Sequence, residues 1–226
     1  MSSFRRRYAL AASIVLLPLT ACLPYTVGTS AQTVPVNETT HSASYYFLPN
    51  AIKQPGDSAA TPLSGVDYEW RHGLDVRSDI AFRLLPGGAT ASYKRRFGVD
   101  TSHAGSARAF SFGGGIVNGG EHFLMEATLM ASGREDGPFN PYYGIRAMHV
   151  VPLNAEAVSD RPTIGAFGGL QIGNKWFSIR PELGVFYDHS ALGVRSSDVL
   201  LVPALTVMRG RNRDERAYAS EPRRRW

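Results

Sequence analysis

Alternation of apolar and polar residues, repeated along most of the chain, constrains the fold more than any other feature. In 66–71 every second residue is apolar and the residues between them are charged. The same period of two runs through 122–131, with Leu124 as an exception, and through 177–187, with Phe186 as an exception. A period of two places successive side chains on opposite faces of a strand. Each stretch therefore predicts a strand with one apolar and one polar face.

Clusters of turn residues divide the sequence into ten such strands. The predicted strands are 41–48, 65–72, 76–85, 89–97, 107–117, 121–131, 141–151, 162–172, 175–187 and 197–208. Pro86-Gly87-Gly88, Asn118-Gly119 and Gly173-Asn174 separate neighbouring strands, and Asn-Gly between apolar runs is a strong hairpin signal. Strands of about ten residues are long enough to cross a bilayer when tilted. The sequence thus predicts an all-β fold, an antiparallel up-and-down barrel over residues 41–208.

The alternation alone does not decide which face of the wall lies inside. A soluble binding barrel turns its apolar face inward, whereas a membrane barrel turns it outward. Aromatic residues near predicted strand ends favour the membrane sense, since such residues line membrane interfaces: Tyr68, Trp70, Tyr142, Tyr143, Trp176, Phe177 and Tyr187. The last strand, 197–208, is apolar on both faces and gives no orientation.

The polar faces carry charges of both signs, which also favours an enclosed position. Inside a narrow barrel, such a set can satisfy itself by pairing. The predicted lumen charge network consists of Asp67, Glu69, Arg71, Asp79, Arg83, Lys94, Arg96, Glu126, Arg146, Arg180 and Glu182. The alternative is that these side chains are solvated on the outside of a soluble barrel.

The N-terminal residues have the pattern of an export signal. Arg5, Arg6 and Arg7 precede a short apolar run, as in a secretory signal peptide. The sequence Leu19-Thr20-Ala21-Cys22 follows and resembles the lipobox of bacterial lipoproteins at all four positions. The resemblance implies export through the general secretory route, removal of residues 1–21, and acylation at Cys22 as an anchor in membrane lipid. Leu23, rather than Asp, follows the cysteine, which in that family favours the outer membrane.

The basic isoelectric point does not indicate nucleic-acid binding. Of the formal net charge of +5, the arginines at 5–7 contribute +3 and residues 209–226 contribute +4, which leaves −2 for residues 22–208. The basic residues 209–226 are predicted to form a disordered tail, with lipid phosphates or an acidic protein as the possible partner. Residues 22–40, rich in Thr, Ser, Pro and Val, are interpreted as a tether between Cys22 and the barrel.

No pattern of catalytic, metal-binding or cofactor-binding residues is evident in the sequence. The chain lacks a G-x-S-x-G elbow, and its six histidines show no H-x-x-x-H or H-E-x-x-H spacing. Gly113-Gly114-Gly115 has no P-loop lysine and is interpreted as small residues on a barrel wall. Cys22 is the single cysteine, so a disulfide within the chain is impossible. The predictions are therefore a non-catalytic protein without cofactor or metal.

The segment 65–98 is similar to a pattern in uncharacterised outer-membrane barrel lipoproteins. There, a Gly-Leu-x-x-Arg turn precedes a charged strand, a Pro-Gly-Gly hairpin and a Lys-bearing strand, as in Gly73–Arg77, Pro86–Gly88 and Lys94 here. The resemblance implies an outer-membrane lipoprotein with a structural or small-solute transport role. The alternative is a periplasm-facing, lipocalin-like lipoprotein that binds a lipid between apolar faces, although the Gly-x-Trp motif of that family is missing from the first strand.

Overall fold

The computed structural model describes residues 23–52, 61–98, 106–134, 138–154, 161–174, 176–188 and 198–210. The predicted signal peptide, Cys22 and the tail beyond Gly210 lie outside the described residues. In the part of the chain that the structure describes, no helix is long and apolar enough to cross a membrane.

Ten antiparallel strands form a closed barrel, as the sequence predicted. The strands are β1 (Thr39–Ile52), β2 (Thr61–Asp75), β3 (Ser78–Leu85), β4 (Gly88–Phe97), β5 (Ala107–Val117), β6 (His122–Ser132), β7 (Phe139–Pro152), β8 (Thr163–Gly173), β9 (Phe177–Tyr187) and β10 (Val199–Gly210). Each strand pairs with its neighbour in sequence, and β1 pairs with β10 to close the wall. The barrel begins at Thr39 and ends at Gly210, two residues beyond each predicted boundary.

The hairpin between β5 and β6 shows why the turn residues were informative. The Glu121 amide donates to the Asn118 carbonyl at 3.2 Å, so Gly119 and Gly120 are the central residues of this turn. Their φ values are 66° and 100°, and Asn118 before them has a φ of 53°. Positive φ at both central residues is the requirement of the turn whose twist matches two antiparallel strands. Asn and Gly are the residues that adopt this conformation at least cost. The pairing of Val117 with His122 across this turn then fixes the register of the two strands.

The apolar faces of the strands point outward and the polar faces point into the lumen. On β9, Leu183 is 50% exposed and its neighbour Glu182 is 5% exposed. The same relation holds on β2, where Val66 and Tyr68 are exposed and Asp67 is buried. This orientation is the one expected of a membrane barrel. It is the opposite of the orientation in the lipocalin-like alternative, in which the apolar faces turn inward, so that alternative is wrong.

Residues 23–34, which we call the lumen segment, pass through the inside of the barrel. All twelve of these residues are buried. Their composition was interpreted as that of a tether, but here the segment fills the lumen. Half of its residues are Thr, Ser, Ala or Gly. An extended segment of this length spans up to about 40 Å, more than the roughly 30 Å of a bilayer core.

The two ends of the barrel can be named from the course of the chain. We call the end at which β1 begins and β10 ends the terminal end, and the opposite end the far end. The lumen segment enters at the far end with Leu23 and reaches the terminal end with Val34. It then turns through 35–38 into β1, so its direction is opposite to that of β1.

Candidate functional site in the barrel lumen

The structure places all the predicted lumen charges on the inner side of the wall. Ten of the eleven are buried, and Glu126 is partly buried. They come from β2, β3, β4, β6, β7 and β9, because each of these strands turns its polar face inward. Asp188, just after β9, is a further buried carboxylate that the sequence analysis did not single out.

One group of charges forms a continuous ion-pair network along β2, β3 and β4. Arg71 Nε lies 3.0 Å from Glu69 Oε1, and Arg71 Nη1 lies 2.6 Å from Asp79 Oδ1. Arg83 Nη2 lies 2.8 Å from Glu69 Oε2, and Lys94 Nζ lies 3.4 Å from Asp79 Oδ2. Each carboxylate is shared between two basic side chains. Such sharing satisfies several charges that would be costly to bury alone.

A second ion pair lies on the other side of the lumen. Arg146 on β7 pairs with Glu126 on the neighbouring strand β6. Between the two groups, Thr26 of the lumen segment donates its hydroxyl to Asp67 Oδ2 at 3.2 Å. The lumen segment therefore lies between the two sets of charges and contacts both.

Arginine side chains of the wall bind the backbone carbonyls of the lumen segment. Arg83 donates to the carbonyl of Thr26 at 3.0 Å and to the next carbonyl at 3.2 Å. Arg146 donates to the same Thr26 carbonyl at 2.6 Å, and Arg180 donates to the Gly28 carbonyl at 3.0 Å. Carbonyls in a lumen without a neighbouring strand need partners, and these guanidinium groups supply them.

Near the terminal end, Lys94 and Asp79 also bind the backbone of the lumen segment. The ammonium of Lys94 donates to the carbonyls of Ser30 at 3.1 Å and Gln32 at 2.5 Å. The Val34 amide donates to Asp79 Oδ2 at 3.1 Å. Both side chains also belong to the ion-pair network, so the network and the lumen segment stabilise each other.

Glu182 is the main acceptor for the amides of the lumen segment. Its two carboxylate oxygens accept from the amides of Val27 at 2.8 Å and Gly28 at 3.0 Å. Tyr142 also donates its hydroxyl to Glu182 at 3.0 Å. The sequence predicted Glu182 as a partner for basic residues, but in the structure this carboxylate holds the backbone of the lumen segment. A carboxylate bound by several donors is a strong and directional contact.

Gly28 is the point at which the lumen segment bends. Its φ of +63° lies in the left-handed region, where a side chain is strained. A Cβ added there would lie 2.9 Å from both Ser44 Oγ and Thr206 Oγ1. These hydroxyls are themselves hydrogen-bonded at 2.7 Å. The bend therefore requires glycine for both conformation and space.

The far end of the lumen is closed by apolar packing instead of charges. Tyr25 packs edge-on against Phe186, with ring centroids 5.4 Å apart, and donates its hydroxyl to Asp188 at 2.9 Å. The surrounding cluster consists of Leu23, Tyr25, Tyr46, Leu48, Leu85, Val117, Leu124, Met148, Val150, Phe186, Leu200 and Val202. This cluster explains the exceptions to the alternation. Leu124 and Phe186 are inward residues that cover the end of the lumen segment.

The same cluster explains why β10 is apolar on both faces. Leu200 and Val202 point into the apolar far end, while Leu201 and Leu205 are exposed on the outside.

Tyr142 is another inward residue, 1% exposed, so its predicted place among interfacial aromatic residues is wrong. The other six predicted aromatic residues lie at least partly exposed on the wall or its connections.

Toward the terminal end, the lumen contains a second apolar cluster and a cavity with polar residues in its lining. The cluster consists of Val27, Ala31, Ala107, Ala109, Met130, Tyr142 and Phe167. A cavity of about 160 Å³ lies beside the lumen segment, with Thr29, Ser30, Glu69, Arg71 and Arg180 in its lining. Four buried polar side chains on nearby strands have no hydrogen-bond partner among the described residues: Ser132, Asn140, Gln171 and Ser178. In folded proteins, ordered water commonly satisfies such groups. Within the described ranges, no group of three or more His, Cys, Asp or Glu residues is placed to hold a metal ion.

Comparisons with known proteins found similar structures but no similar sequence. No family model matches the sequence, and no curated protein matches it. The structure is similar to an outer membrane channel from Pseudomonas putida F1, at 8% identity over 80% of this chain and 98% of that chain, with a TM-score of 0.44. It is also similar to neisserial surface protein A, at 9% identity over 76% and 96% of the two chains, with a TM-score of 0.35. OprG from Pseudomonas aeruginosa is similar at 10% identity over 80% and 97% of the chains, with a TM-score of 0.33.

Proposed function

We propose that this chain is a membrane-embedded barrel of the bacterial outer membrane, with a structural role and without catalysis. The observation that carries this proposal is the inversion of the wall, with apolar side chains outside and ion-paired charges inside. Exposed apolar side chains occur on every strand, including Tyr45, Phe82, Phe112, Ile145 and Leu183. In water, so large a continuous apolar surface is an aggregation hazard, whereas in a bilayer it is solvated by lipid tails.

The position of the exposed charges supports the same proposal. Among the described strand residues, the exposed charged side chains are Asp75, Arg95, Arg108 and Arg209. All four lie within two residues of the strand boundary that is at the terminal end, Arg108 at the beginning of its strand and the other three at the end of theirs. The middle of the outer wall is then left to apolar residues. This distribution fits a hydrocarbon band bordered by a headgroup region, where arginine binds phosphate.

The occupied lumen favours a structural role over an open channel. The lumen segment contacts the wall along its whole length, from Tyr25 at the far end to Val34 at the terminal end. The second candidate is small-solute transport, which the cavity of about 160 Å³ beside the segment favours. That role requires the lumen segment to move, because the segment is hydrogen-bonded to the wall from one end of the lumen to the other.

A lipid anchor at Cys22 belongs to the proposal and rests on the resemblance to a lipobox. Two or more acyl chains give stable membrane attachment. Replacing Cys22 by Ala removes the acyl acceptor, and we expect a precursor that keeps its signal and takes up no labelled palmitate. Normal processing with undiminished label would contradict the lipid anchor and leave the barrel untouched.

Membrane embedding is tested separately from the anchor. Residues 23–226 are exported behind a cleavable signal without a cysteine, and the membranes are washed with carbonate and with urea. We expect the protein to stay with the membrane and to need detergent for release. Recovery in the soluble fraction would show that the outer wall faces water.

A further inference from the structure

We propose that the chain crosses the membrane an eleventh time inside its own barrel, so that Cys22 and the strand termini lie on opposite faces. This inference rests on the proposed membrane embedding. It concerns the place of the N-terminal anchor, which neither the lipobox nor the strand pattern assigns. The observations that carry it are the contacts of the lumen segment at the two ends of the barrel.

At the far end, the beginning of the segment contacts Tyr46 of β1, the last residue of β3 and the residue that follows β9. The Leu23 carbonyl accepts a hydrogen bond from Tyr46 at 3.3 Å, and Tyr25 reaches Asp188 just after the end of β9. Leu23 packs in the same cluster as Leu85, the last residue of β3. Leu23, the residue that follows Cys22 in the sequence, therefore lies in the far-end part of the lumen.

At the terminal end, the chain leaves the lumen beside the turn between β2 and β3. Thr33 donates its hydroxyl to the Val76 carbonyl at 3.3 Å. Val36 then forms a parallel bridge with Gly73, and the Asn37 amide donates to the Gly73 carbonyl at 3.0 Å. The chain enters β1 at Thr39 on this same side. The segment therefore runs through the lumen from the level of Leu85, the last residue of β3, to the turn that precedes β3.

The threading has a consequence for the acyl chains. An anchor at Cys22 lies in the membrane leaflet at the far end, while β1 begins and β10 ends at the other surface. Membrane barrels of bacteria have short periplasmic turns and longer external loops. The connections at the far end are 53–60, 86–87, 118–121, 153–162 and 188–198, and those at the terminal end, which are shorter in total, are 76–77, 98–106, 133–138 and 174–176. We therefore expect the far end, and Cys22 with it, to face outward.

The experiment compares the exposure of three positions on intact and permeabilised cells. An epitope that begins with leucine is inserted between Cys22 and Leu23, so that the residue after the cysteine is unchanged. Glu121→Cys marks the far end and Arg77→Cys marks the terminal end, both at exposed positions. A membrane-impermeant maleimide labels the introduced thiols, and the unsubstituted chain reports any reactivity of Cys22 itself.

We expect the epitope and Glu121→Cys to be accessible from the same side of the membrane, and Arg77→Cys to be accessible from the other side. If the epitope reacts together with Arg77→Cys, the threading is overturned. Ser30→Cys, at a buried position of the lumen segment, provides a second measurement that needs no insertion. We expect it to be at least tenfold less reactive than Glu121→Cys until the barrel is unfolded, and equal reactivity in the folded state would also overturn the proposal.

These outcomes are distinguishable from a failure of the proposed function. A soluble barrel would leave the membrane in the carbonate wash, whatever the labelling pattern. A protein that remains embedded but labels the epitope and Arg77→Cys from one side contradicts only the threading. Loss of palmitate at Cys22 with the predicted labelling would contradict only the anchor.

Discussion

The two faces of β9 solve different problems with the same backbone. Outward, Ile179, Leu183 and Val185 present aliphatic side chains that need no particular neighbour. Inward, Arg180 and Glu182 bind defined atoms of the lumen segment. The outer face is therefore specified only by hydrophobicity, while the inner face is specified by geometry. Substitutions on the two faces should fail in different ways.

The inner face itself changes character along the strand. Glu182 lies in the charged part of the lumen. Phe186, four residues farther along the strand, lies in the apolar cluster at the far end. Hydrogen bonds to Glu182 fix the register of the lumen segment, because they join particular amides to particular oxygens. Packing at Phe186 closes the lumen without fixing register, since apolar contact is not directional.

The largest effect on stability is expected at the apolar end. Phe186→Ala removes a ring that is 0% exposed and leaves a cavity against Tyr25, at a cost of about 3–5 kcal/mol. Denaturant unfolding in detergent, followed by heat-modifiable gel mobility, measures this loss. The control is Phe177→Ala on the outer face of the same strand. Planar-bilayer conductance should stay at the unsubstituted level, because the charged part of the lumen remains occupied.

Glu182→Ala should cost slightly less and have a different phenotype. It leaves two amides and the Tyr142 hydroxyl without their acceptor, and each unpaired buried donor costs about 1–3 kcal/mol. With partial relaxation we expect a loss of about 3–4 kcal/mol, together with a measurable ion leak as the lumen segment loosens. Glu121→Ala, at an exposed position of a turn, is the control. A closed pore in the Glu182 variant would mean that Glu182 does not hold the segment.

The outer face is tested by a charge at two depths of the same strand. Leu183→Arg in the middle of the wall is expected to cost about 2–4 kcal/mol, and Phe177→Arg at the terminal end about 0–1 kcal/mol. The two positions have similar exposure, 50% and 53%, so only depth in the membrane separates them. Equal stability of the two variants in lipid vesicles would show that no hydrocarbon surrounds the wall.

The smallest effect is expected at the bend of the lumen segment. Gly28→Ala adds a Cβ at positive φ, which costs about 1–2 kcal/mol, and presses it on Ser44 and Thr206. We expect a slight leak as well, because the neighbouring carbonyl and amide contacts shift. Ser30→Ala, on the same segment but outside the bend, is the control. A Gly28 variant as stable and as closed as this control would show that the bend is not required.

The sequence by itself determined the number of strands, their order and the two faces of the wall. It did so because β-structure has a period of two, and because turns such as Asn118-Gly119 have conformations that few residues adopt. The charges of the lumen were identified as one set because they alternate with apolar residues on successive strands. These are local signals, and each can be recognised within about ten residues of chain.

Only the tertiary structure decided which face lies inside and what fills the lumen. Orientation depends on the closure of β1 against β10 and on the surroundings of the wall, neither of which is a local property. Residues 23–34 have no period because their partners are wall side chains from many strands, such as Lys94 and Glu182. Leu124 and Phe186 break the alternation for the same reason. Their inward position becomes meaningful only when the lumen segment lies across them.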